Sequence, residues 1–196
     1  MSNSNFNEPE LDPLSRTQIL VAMGVTAIVL LLIARFWLFF DTVIMLSVEF
    51  DPVILVVGIG IGIGITGASG IAYQVWPGYR RSADVYLKMV LEPLAWGDLI
   101  WMGLLPGLSE ELLFRGVMLP AIGLNVYGIV FSSLCFGVLH LSGLQQWPYV
   151  IWATLIGLVL AYSALLSGNL LVPIVAHVST NLLASIVWKI KYGTAG

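Results

Sequence analysis

Between Leu99 and Trp188 the chain carries only five ionisable side chains, tyrosines and Cys135 set aside: Glu110, Glu111, Arg115, His140 and His177. A run of about 20 mostly apolar residues spans a bilayer, and this stretch holds several such runs. Two more precede it, approximately Ile19 to Phe40 and Pro52 to Trp76. Only 10% of the 196 residues are charged, against about 25% in soluble domains. The expectation is an all-α fold, a polytopic transmembrane helical bundle of about six spans with a four-helix catalytic core.

The remaining charge organises the chain. Residues 1–18 read as a polar, mildly acidic tail, with Glu8-Pro9-Glu10 and Asp12-Pro13. The apolar run after it is too long for a cleaved signal and reads as a retained span. Residues 19–93 form two spans and a loop with a short interfacial helix over Pro77–Glu92, whose Arg80, Arg81 and Lys88 place it in the cytoplasm by the positive-inside rule. Residues 94–190 form the core, with spans near Leu94–Leu119, Val126–Leu141, Tyr149–Leu166 and Leu170–Trp188, and 191–196 a short tail. Lys189 and Lys191 put the C-terminus on the cytoplasmic side, and six spans put the N-terminus there too. Trp147, Tyr149, Trp152 and Trp188 suit interfacial belts. Net charge is −3 with no basic run, so no nucleic-acid partner is expected; the lipid bilayer is. Cys135 stands alone, so no internal disulfide forms, and it reads as a packing residue. Oligomeric state is not legible.

Gly62-Ile63-Gly64-Ile65-Thr66-Gly67 fits the dinucleotide fingerprint, but it lacks the strand-turn-helix context. The pairs Gly58/Gly62 and Gly60/Gly64 read instead as sites of close helix approach.

Charged groups inside a span cost about 2.5–3.5 kcal/mol each on insertion scales, so those present need a reason. Glu111 and Arg115 are four apart, acid first, the favourable order for a helical ion pair. Glu110 is rotated about 100° away and has no partner in its own segment, which suits it to proton transfer. Phe136 and His140 lie one turn apart on a second span, His177 and Asn181 one turn apart on a third. A blander reading makes Glu110 and Glu111 the first turn of a helix capped by Ser109. A lone histidine or Asn181 can equally be a hydrogen bond between helices.

E-E-x-x-x-R, F-x-x-x-H and H-x-x-x-N, in this order on successive spans, resemble the CPBP family (CAAX prenyl endopeptidase, Abi and bacteriocin-processing) of intramembrane proteases. The likeness covers roughly Trp96 to Lys189. It implies hydrolysis of peptide bonds in membrane-associated substrates, prenylated CAAX-type or bacteriocin-like. Glu110 would be the general base on a water held with His140, and His177 and Asn181 would stabilise the oxyanion. Glu111 and Arg115 would hold Glu110 in place, with Phe136 supporting the site. No cofactor is required on that reading. Zinc bound by Glu110, His140 and His177, in a metalloprotease, is the alternative, although H-E-x-x-H is absent. Outside this class stand a bis-histidine haem b protein, a proton-relaying transporter and a non-catalytic peptide-binding or immunity protein.

Overall fold

The computed structural model describes residues 13–193; the tail before Pro13 and the last three residues lie outside the description. The chain builds α1 (Arg16–Phe40), α2 (Pro52–Val75), α3 (Pro77–Leu91), α4 (Leu99–Glu111), α5 (Leu119–Ile122), α6 (Val126–Leu139), α7 (Trp147–Ser167) and α8 (Leu171–Tyr192). A π-helical stretch, Leu112–Met118, joins α4 to α5 without a break. Short 3-10 turns at Trp96–Asp98 and Leu144–Gln146 precede α4 and α7. Among the described residues no strand forms beyond one isolated bridge, Ser47 to Asn169.

Local chemistry sets these boundaries. Ser15 and Gln18 close a capping box on α1. Asp51 and Asn125 accept the first free N–H groups of α2 and α6, and Pro52, Pro77 and Pro148 occupy first-turn positions where no N–H is needed. Gly168, at φ +61°, ends α7 in the left-handed conformation that glycine adopts without strain.

Among the described residues four helices are long and apolar enough to cross a membrane: α1, α2, α7 with its preceding turn, and α8. The protein is an integral membrane protein. Helix α6, at 14 residues, is about 21 Å long, shorter than the roughly 30 Å hydrocarbon layer. The run from Leu99 to Ile122 is continuous but divided by Pro106 and the π stretch. That division is why it is not one regular span.

Helix α8 is the axle of the bundle. A Cβ at Gly58 or Gly62 of α2 would lie 2.7 Å from Val175 Cβ or 2.6 Å from Ser179 Cβ, so these two glycines let α2 press against α8. Gly60 and Gly64, expected to act likewise, have nothing within 4 Å; they sit on the other side of α2. From the opposite flank, Gly103 and Gly107 of α4 bring Val178 close, and a Cβ at Gly107 would lie 2.5 Å from Val178 Cγ2.

The two ends of the bundle differ. At one, Asn169 exchanges hydrogen bonds with the backbone of Glu49 (2.8 and 3.3 Å), pinning the α1–α2 connection to the α7–α8 turn. At the other, Arg16 pairs with Asp98 at 2.6 Å and Lys189 reaches the Glu92 carbonyl at 3.3 Å. The short interfacial helix expected within 77–92 takes up nearly the whole stretch as the amphipathic α3, whose Tyr79 packs on Tyr149 and Trp152 of α7. Of the four aromatics expected in interfacial belts, Trp147 is exposed, Trp188 is buried, and Tyr149 and Trp152 line an internal cavity. They turn inward because α3 and α2 supply partners there, including Ser69, which accepts from the Trp152 indole at 3.0 Å.

Candidate active site

Three helices bring the mid-chain polar groups together. Glu110, His140, His177 and Asn181 all line one cavity of about 120 Å³, with Tyr86 of α3 and Tyr149 of α7 completing its wall. Helix α4 begins eleven residues before Glu110, so the first-turn reading of the two glutamates fails. The Ser109 hydroxyl donates back to Leu105 O at 2.8 Å and caps nothing. The π stretch starts right after Glu111, and π-bulges are found frequently at functional sites.

The adjacent glutamates serve different histidines. Glu110 Oε2 stands 3.9 Å from His140 Nε2 and has no hydrogen-bond partner. His140 ends α6, and its Nδ1 lies 2.9 Å from Phe136 O. A carbonyl only accepts, so Nδ1 carries the proton, and in the neutral ring Nε2 offers a lone pair towards Glu110.

Glu111 is fully buried. Its Oε1 accepts from Arg115 Nη1 at 2.8 Å, the expected ion pair, and from His177 Nδ1 at 2.8 Å. Beyond the expected ion pair, Glu111 also meets His177, because Glu111 faces α8 while Glu110 faces α6. Arg115 also donates from Nη2 to Gly157 O at 2.8 Å. Its guanidinium carbon lies 4.4 Å from the centre of the Phe136 ring, within cation–π range. Phe136 in turn packs against both imidazoles, with ring centres 4.9 Å from His140 and 5.5 Å from His177.

Two contributors escaped the sequence reading. Gly157 gives Arg115 its carbonyl, and a Cβ there would lie 3.2 Å from Nη2 and 3.1 Å from Ser133 Cβ. Tyr86 stacks on Tyr149 at 4.8 Å and lies 6.5 Å from His140. Burial, and then the charge of Glu110, push the Tyr86 phenol up to about 12, so it stays a neutral O–H donor. No pattern marked either residue; only α3 folding over the cavity brings Tyr86 in.

The zinc alternative requires three ligand atoms at about 2.0–2.2 Å from one ion. Among the described residues no three His, Cys, Asp or Glu side chains stand close enough to hold a metal ion together. The Nδ1 atoms of both histidines face protein acceptors, which leaves each Nε2 uncommitted, as in zinc-binding histidines. As arranged, Glu110, His140 and His177 stand too far apart to share one ion.

Residues 92–183 match the family model of the Rce1-like type II CAAX prenyl endopeptidases, and this part of the chain is similar to that protease family. Over 79 residues the chain is also 39% identical to the uncharacterized protein YpbD of Bacillus subtilis (strain 168), a match covering 40% of this chain. The chain spans 39% of that relative's length. No solved structure matches it significantly.

Proposed function

We propose that this protein is an intramembrane endopeptidase in which Glu110 activates a water, without a metal, for attack on a peptide carbonyl. The observation that carries the reading is the facing pair of unpartnered acceptors, Glu110 Oε2 and His140 Nε2, 3.9 Å apart. That gap is too long for a direct hydrogen bond and suits a bridging water. A water donating one proton to each turns a lone pair outward. Its oxygen attacks the carbonyl carbon, its proton passes to Glu110, and the carbonyl oxygen takes up negative charge. Glu110 then returns the proton to the departing amide nitrogen, leaving an acid and an amine.

Asn181 and His177 hold the oxyanion. Since His177 Nδ1–H is committed to Glu111, Nε2 donates only when the ring carries both protons. Glu111 balances that imidazolium charge, and Arg115 balances Glu111. Preorganised donors of this kind act strongly in a site poor in water.

The bundle takes six passes, counting the divided α4–α5 run and the short α6. Six of the eight Lys and Arg residues (Arg16, Arg80, Arg81, Lys88, Lys189 and Lys191) lie at the α3 end. The positive-inside rule therefore puts that end, and both ends of the described chain, in the cytoplasm. The site lies beneath α3, within reach of peptides at the cytoplasmic face, with prenylated CAAX-type tails the substrates the family suggests.

The test is cleavage of a quenched peptide library, prenylated members included, by the purified protein in lipid, with and without a strong zinc chelator. Cleavage that survives the chelator and is lost in Glu110→Gln is expected. Cleavage lost to the chelator and restored by zinc would overturn the metal-free mechanism.

A further inference from the structure

A second cavity meets the first at Glu110. This groove, about 260 Å³, opens between α1, α3 and α4. It is walled by Met23 and Ala27 of α1, Met89 and Val90 of α3, and Met102 and Pro106 of α4. Four residues line both spaces: Tyr86, Met102, Pro106 and Glu110. Three of them stand on α4, and Tyr86 alone reaches the junction from α3, outside the family-matched segment.

The lining selects the occupant. Glu110 is its only charged residue, so an anionic guest would be desolvated without a partner, and a cationic one would have to occupy the catalytic carboxylate. Three of the lining residues are methionines, unbranched and adaptable, which suit a wall receiving apolar groups of varied shape. A peptide whose carbonyl sits over the water at Glu110 carries its neighbouring side chain within reach of the groove mouth.

We infer that this groove is a specificity pocket for a large apolar side chain flanking the scissile bond, and that Tyr86 is the partition setting the size it admits. This rests on the protease reading above. Tyr86 keeps its place by stacking on Tyr149, so the ring, rather than the hydroxyl, forms the partition.

The experiment uses the full chain in lipid and paired peptides differing only beside the scissile bond, Ala against Phe. The unaltered protein should prefer Phe by about tenfold or more, the scale of apolar-pocket discrimination. Thr26 lines the groove from an exposed position on α1, so Thr26→Trp fills the groove without disturbing the core. It should bring the preference towards unity while the Ala peptide is cut at its former rate. Tyr86→Phe should leave the preference intact, and Tyr86→Ala should shift it to still larger side chains. An unchanged preference in Thr26→Trp, or equal loss on both peptides, overturns the inference. Cleavage of the Ala peptide, abolished by Glu110→Gln, upholds the protease reading in either case. A non-cleaved peptide bearing a benzophenone side chain gives a readout without turnover. Crosslinks at Met23 or Met89 support the pocket, and crosslinks confined to other segments sink it.

Discussion

Glu110 and Glu111 are neighbours in sequence and opposites in environment. Glu110 keeps a little exposure, an unpartnered oxygen and a 3.9 Å gap to its histidine. Glu111 has no exposure and holds His177 and Arg115 at 2.8 Å each through Oε1; its Oε2 is unpartnered too, but Glu111 does not line the cavity. The loose half has room for a reactant; the tight half has none. One residue step, about 100° around the helix, thus separates a group free to trade protons from a group whose charge is spoken for. That division assigns the chemistry to the Glu110–His140 side and the positioning of the oxyanion donor to the Glu111–Arg115–His177 side.

The largest expected effect breaks the loose half. Glu110→Gln keeps size and burial but removes the base, and should lower kcat by about 10²–10⁴ with an unchanged unfolding midpoint in lipid. A variant that lost activity and folded yield together would erase the distinction between the halves. Arg115→Met does the reverse. It removes the guanidinium from the buried Glu111 carboxylate and leaves only His177 beside it, and removing one partner of a buried pair costs about 3–5 kcal/mol. The measurement is thermal unfolding followed by tryptophan fluorescence, and a midpoint equal to that of the unaltered protein would show that the pair is not structural.

Glu111→Gln sharpens the comparison, because the amide oxygen still accepts one hydrogen bond while the balancing charge is gone. Activity per folded molecule should fall by about 10²-fold, the scale of one lost oxyanion donor, with the loss in kcat and KM little changed. Unchanged kcat per folded molecule would remove Glu111 from the positioning role.

Much of this division was legible before any coordinates, and the limit is instructive. Burial cost alone singled out Glu110, Glu111, Arg115 and the two histidines, since a charge inside a span is expensive wherever it faces. The 3.6-residue period paired Glu111 with Arg115 and separated Glu110 from both. Which helix face meets which is a matter of long-range packing, and there the reading fell short. Gly58 and Gly60 look alike in sequence, yet only Gly58 touches α8. The contact from Glu111 to His177 spans 66 residues and leaves no local trace. The π stretch contains Gly116 and lies between Pro106 and Pro120, residues that announce a break in the run but not a π turn, and Tyr86 sits on a polar interfacial helix that nothing in the sequence folds over the site.

The smallest expected effect lies outside the bilayer core, where the contrast between tight and loose recurs in weaker form. Asp98, in the turn before α4, accepts from Arg16 at 2.6 and 2.8 Å and from the Ala95 N–H at 2.8 Å. The Arg16 hydrogen bond, helped by that N–H and by the charges of Arg16 and Lys189, outweighs burial and holds the Asp98 carboxyl below its ordinary range. Arg16 is largely exposed, with 58% of its side chain accessible, so solvent and salt screen the pair. Asp98→Asn should therefore lower the unfolding midpoint by about 2 °C or less at pH 7. A carboxyl depressed in the folded state contributes stability above its unfolded pKa and loses it as pH falls towards the folded one. The difference between Asp98→Asn and the unaltered protein should thus persist from pH 7 to pH 5 and close only below about pH 4. A difference that vanished between pH 7 and 5 would mean that burial, not Arg16, governs Asp98, and the tie between α1 and the start of α4 would carry no weight in placing Glu110.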